Sequence, residues 1–103
     1  RRKLFSFLVL VMVGKTFAIR KVGKECFADV VEFNFLNNPK YREAFKSPSD
    51  AKKILLRLSA LSEKKLIPGT TLVFFDEVQE CPEMVTAIKF LVEEGSYRYV
   101  SCS

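Results

Sequence analysis

A chain of 103 residues, 49% hydrophobic and 28% charged, is long enough for one domain with a real core and too apolar to be a disordered tail. It has ten Phe but no His and no Trp, which excludes an imidazole base, a His-containing metal centre and a His-based triad built from this chain alone. Lys and Arg number 17 against 12 Asp and Glu, and the net charge of +5 favours anionic partners, although it is spread along the chain.

The N-terminus, Arg1-Arg2-Lys3 followed by apolar Leu4 to Val13, has the outline of a signal peptide, but no small-x-small cleavage pattern follows it. The run is also too short to span a bilayer. Its β-branched and aromatic content predicts a first strand over Leu4 to Val13, buried on both faces. From Lys15 to about Phe27, the four-residue recurrence of Ala18, Val22 and Cys26 beside Ile19 predicts an amphipathic helix with that stripe inward, weakened by Gly23.

Val30 to Phe35 reads as a second strand closed by Asn37-Asn38-Pro39, and Tyr41 to Phe45 as a short helix. Ser49 or Asp50 can cap a helix carrying Ile54, Leu55, Leu58 and Leu61, which ends before Pro68-Gly69. Thr71 to Phe75 is a third, unbroken apolar strand that stops at Asp76 and Glu77. Pro82 opens a helix carrying Val85, Ile88, Leu91 and Val92 that closes near Gly95, and Tyr97 to Cys102 forms a fourth strand. Strands alternating with helices predict an α/β fold, a parallel sheet with helices on its faces, in one domain over residues 1–103. Cys26, Cys81 and Cys102 show no CxxC spacing and cannot all pair, which points to buried structural thiols in a reducing, cytoplasmic setting.

Two places along this pattern could carry chemistry. Gly14-Lys15-Thr16 sits at a strand-to-helix junction, where unpaired backbone N–H groups and the positive end of the helix dipole stabilise phosphate oxygens. In a phosphate-binding loop Lys15 would reach the β- and γ-phosphates and the Thr16 hydroxyl would ligate Mg²⁺. The full pattern GxxxxGK[ST] puts a glycine at position 9, where this chain has Val9, a residue that prefers extended backbone. The second place is Leu72 to Phe75 followed by Asp76-Glu77, a Walker B pattern. Asp76, at the carboxyl end of a buried strand, is placed to hold Mg²⁺, and Glu77 to polarise a water for attack on a γ-phosphate.

With those motifs in view, "VGKTFAIRKVGKECFADVVEFNFLNNP" and "PGTTLVFFDEVQECPEMVTAIKFLVEE" resemble the AAA-type ATP-binding domain of bacterial and archaeal proteins that usually precedes a C-terminal domain of unknown function. The likeness runs from about Val13 to Val100, and "FFDEVQECP" is its most specific part. It implies a three-layer α/β/α P-loop NTPase-like fold, incomplete at the C-terminus. It also implies ATP and Mg²⁺ as cofactors, with Gly14, Lys15 and Thr16 on the nucleotide, Thr16 and Asp76 on the metal, and Glu77 as the catalytic base. In related ATPases the strand after Walker B lies between the Walker A and Walker B strands, so the resemblance places Tyr97 to Cys102 centrally.

The family segment before GKT reads like GxRQVGKT, and of its variable part only Val13 matches here. Two readings therefore stand: an ATP-binding and ATP-hydrolysing domain, or a non-catalytic, degenerate P-loop fragment serving as an interaction module. A shortened domain with exposed apolar surface is expected to self-associate. Lys52, Lys53 and Arg57 read as a solvated helix face, with no nucleic-acid motif beside them.

Overall fold

The computed structural model describes residues 9–12, as backbone, and residues 16–103. The remainder of the predicted first strand, together with Gly14 and Lys15, lies outside the described residues. The elements run β1 (Val9–Met12), α1 (Thr16–Cys26), β2 (Asp29–Asn34), a 3₁₀ segment (Pro39–Phe45), α2 (Ala51–Leu61), β3 (Thr71–Asp76), a 3₁₀ turn (Val78–Glu80), α3 (Pro82–Glu94) and β4 (Arg98–Cys102). The helices begin and end where side chains and backbone permit. Asn38 Oδ1 accepts from Lys40 N ahead of Pro39, and Asp50 Oδ1 accepts from Lys53 N at the start of α2. Gly95, with φ of 85°, closes α3 by donating its N–H to Leu91 O.

All described strand pairs are parallel, in the order β1-β4-β3-β2. Parallel strands need crossovers, and right-handed crossovers put helices on opposite faces when the chain reverses direction across the sheet. The step from β1 to β2 crosses the sheet one way through α1. The steps from β2 to β3 and from β3 to β4 return through the 3₁₀ segment, α2 and α3. Two cores result, one on each face. Val31, Phe33, Val73, Phe75 and Tyr99 point toward Phe45, Ile54, Leu58, Met84 and Leu91, while Val30, Leu72, Phe74, Val100 and Cys102 meet Ile19 and Phe27. Phe75, fully buried, packs among the rings of Phe33, Phe35, Phe45 and Tyr99, with centroids 5.7 to 5.9 Å away.

The inward face of α1 differs from the expected one. Ile19 and Gly23 are buried, whereas Ala18, Val22 and Cys26 are exposed. The cause is close approach at Gly23, where a Cβ would lie 2.5 Å from Val30 Cγ2 and 3.1 Å from Leu72 Cδ2. The glycine lets the helix settle onto the sheet, and that contact sets its rotation. On α3 the buried residues are Met84, Ala87, Leu91 and Val92, with Val85 turned to solvent. The short helix expected from Tyr41 is a 3₁₀ segment that begins at Pro39.

Candidate functional site

The strand registers place Met12, Cys102, Asp76 and Asn34 in one row across the C-terminal edge of the sheet. In open parallel sheets this edge is where ligands bind, because the helices that follow the strands begin there. Cys102 and Asp76 share the strand parity of Val100 and Phe74, so both belong to the face covered by α1. Thr16, the first residue of α1, comes down onto the same row.

Thr16 Oγ1 donates to Asp76 Oδ2 at 3.1 Å, a contact between residues 60 apart in the chain. Cys102 Sγ lies 4.0 Å from the same Thr16 oxygen. The other Asp76 oxygen, Oδ1, accepts the Glu77 N–H at 2.8 Å, which fixes the carboxylate plane. Asp76 is only 5% exposed, and among the described residues the ion pairs join Arg20 to Glu32, Arg42 to Glu83 and Lys64 to Asp29; Arg20, held by Glu32, also feels the Asp76 carboxylate electrostatically. A buried carboxylate beside a hydroxyl, both hard oxygen donors, suits a divalent cation such as Mg²⁺.

Glu77 has φ of 55° and ψ of 49°, the one non-glycine residue with positive φ among those described. The left-handed bend turns the chain sharply off β3, a strained conformation for a residue with a Cβ. The Glu77 side chain is tied to the next turn, accepting from Gln79 Nε2 at 2.7 Å. Beyond it, Cys81 is fully buried, and burial pushes its thiol up to about 11, so it stays protonated and inert. Cys26, expected inside, is exposed, and all three cysteines are free.

Of the residues singled out from sequence, the fold brings together Thr16, Asp76 and the adjoining Glu77. Gly14 and Lys15 lie outside the described residues. Lys52 and Lys53 are exposed, while Arg57 is half-buried, with Nη1 enclosed and, among the described residues, without a hydrogen-bond partner. Sequence reasoning missed Cys102 as a member of the site. Its signal was position: the last residue of β4, level with Asp76 once adjacent parallel strands are aligned at their ends.

A parallel sheet in this order, helices on both faces and the start of α1 meeting the carboxyl ends of β3 and β4 define a P-loop NTPase-like α/β domain. Within that class, the AAA domain family matches residues 12–103, and the chain belongs to it. Membership carries a nucleotide-binding, ATPase-like character. No curated protein and no solved structure matches the chain. Among the described residues no helix is long and apolar enough to cross a membrane.

Proposed function

We propose that the chain binds Mg-ATP at the junction of β1, α1 and β3 and hydrolyses it. The carrying observation is the 3.1 Å contact between Thr16 and Asp76, which joins the residue after Gly14-Lys15 to the end of the Walker B strand. In this reading Gly14 and the first N–H groups of α1 receive phosphate oxygens, and Lys15 neutralises the β- and γ-phosphates. Thr16 and Asp76 would hold Mg²⁺, which would offset the negative charge of the phosphate oxygens. Glu77, adjacent to Asp76, accepts a proton from the attacking water.

A specific observation supports the second reading, a non-catalytic, degenerate P-loop fragment serving as an interaction module. Residues Val9–Met12, which align with the start of the phosphate-binding loop in relatives, are a strand paired with Tyr99 to Cys102. That leaves only positions 13–15 between β1 and α1.

Calorimetric titration with ATP, with Mg²⁺ and with a chelator, separates the readings. Saturable binding that needs Mg²⁺ and weakens in Lys15→Ala supports the site, and phosphate release lost in Glu77→Gln supports hydrolysis. Binding without release in the parent chain removes hydrolysis and keeps the nucleotide site. No heat at millimolar Mg-ATP removes the first reading and leaves the second standing.

A further inference from the structure

Glu77 stands in a backbone conformation that costs energy, so the contacts that hold it there bear on what the residue does. Its φ of 55° is the one positive value at a non-glycine position among the described residues, and such outliers persist only where the surroundings over-determine them. Three hydrogen bonds hold it: the Glu77 N–H donates to Asp76 Oδ1 at 2.8 Å, its carbonyl accepts from Glu80 N at 3.0 Å, and its side-chain Oε1 accepts from Gln79 Nε2 at 2.7 Å. Of the three, the Gln79 bond acts on the carboxylate itself.

The chain holds Gln79 firmly under that carboxylate. It lies in the 3₁₀ turn Val78–Glu80, whose Val78 packs against the aromatic core, and the fully buried Cys81 donates its N–H to Val78 O at 2.9 Å. The turn is anchored on both sides of Gln79, while the Gln79 side chain itself is exposed. An ionised carboxylate only accepts, so the amide presents its NH₂ and not its oxygen, and the contact has one sense. A bond from an amide to a carboxylate is charge-assisted and stronger than a neutral pair. It engages one oxygen and sets the plane of the carboxyl group, which leaves the other to accept from a water.

We propose that Gln79 is a positioning residue for Glu77, holding its carboxylate so that Oε2 takes the proton of the attacking water. This role rests on the reading of Glu77 as the base. In that step the water oxygen bonds to the γ-phosphorus, the bond to the bridging oxygen breaks, ADP leaves with that electron pair, and the proton passes to Glu77 and then to solvent. A base whose orientation is fixed by a third group meets the water at a defined distance and direction, whereas a carboxylate on a freely rotating side chain spends most of its time elsewhere. Gln79 therefore matters to turnover and not to binding, because its contact is with Glu77 and not with the Thr16–Asp76 pair.

Two measurements on the full chain test this. Without metal or nucleotide, nuclear magnetic resonance should find one Gln79 side-chain amide proton shifted downfield, and Glu77→Ala should return it to the position of a free amide. With protein in excess over Mg-ATP, single-turnover phosphate release should slow about tenfold in Gln79→Ala and further in Gln79→Glu, which keeps the shape and removes the donor. Gln79→Lys, which keeps an N–H donor, should recover most of the loss. Mg-ATP affinity by calorimetry and the denaturant midpoint should stay at the parent values, and Gln79→Ala should slow Glu77→Gln no further. Release at the parent rate in Gln79→Ala and Gln79→Glu, a loss that follows affinity or midpoint, or an amide signal indifferent to Glu77→Ala overturns the role of Gln79 and leaves the nucleotide site intact. A parent chain that binds Mg-ATP without releasing phosphate removes the hydrolysis reading instead, and the positioning role falls with it.

Discussion

On one face of the sheet a 3₁₀ segment and two helices close over Phe33, Phe75 and Tyr99; on the other, among the described residues, α1 alone rests on Val30 and Leu72 through Ile19 and Gly23. The first face is an aromatic core with many partners for each ring. The second is thinner, and it is the one that carries Asp76, Cys102 and Thr16 at its edge. The difference shows a division of labour. The larger aromatic core lies on the first face, and the Thr16–Asp76 contact depends on how closely one helix approaches the second.

The comparison can be broken on its stable side first. Phe75→Ala removes a fully buried ring and should cost about 3–5 kcal/mol, read as a lowered denaturant midpoint with unchanged slope. A loss below about 1 kcal/mol would mean that the aromatic face does not dominate stability. Gly23→Ala attacks the thin side. The added methyl meets Val30 Cγ2, and lifting α1 should cost about 1–3 kcal/mol. Because Thr16 rides on α1, Mg-ATP affinity should fall as well, and Val30→Ala in the same chain should recover part of both. Equal stability in Gly23→Ala would show that helix and sheet are not locked at that contact.

The smallest effect concerns the surface of the aromatic side. The Arg42 guanidinium donates to both Glu83 oxygens, at 3.0 and 3.1 Å, and holds that carboxyl below its ordinary value. A depressed carboxylate stabilises the fold above its unfolded value, about 4.3, and that contribution is lost as pH falls through the lower folded value. The stability difference between the parent and Glu83→Gln should therefore be present at neutral pH, begin to shrink near about pH 4.3, and vanish only once pH is below the depressed folded value. Parallel curves at all pH values would show that the exposed pair contributes nothing.

Much of this architecture was legible in the residues. The unbroken apolar run Thr71 to Phe75, stopping at Asp76-Glu77, identified β3 and its carboxyl end, because a strand buried on both faces must be apolar throughout and its first charges mark the edge. Asp50 and Gly95 marked helix ends through chemistry that is local. The rotation of α1 was not legible. Periodicity counts side chains and so favours Ala18, Val22 and Cys26, whereas the contact that decides is made by Gly23, which has no side chain to count. Val85 misled for a related reason, since Met84 and Ala87 reach the core from the same helix at equal spacing. At the site, the motif linked Thr16 to Asp76 across 60 residues and the resemblance placed β4 between β1 and β3, but the strand register was needed to bring Cys102 level with Asp76 and within 4.0 Å of Thr16.

The Thr16–Asp76 junction is proposed to receive a metal-bound nucleotide. Thermal unfolding of the parent chain and of Asp76→Asn, each with and without Mg-ATP, tests this most directly. Ligand at about 100 times its dissociation constant should stabilise the parent by about 2.7 kcal/mol, and the gain should largely disappear in Asp76→Asn. No shift in the parent at millimolar Mg-ATP, or the same shift in both chains, would contradict it.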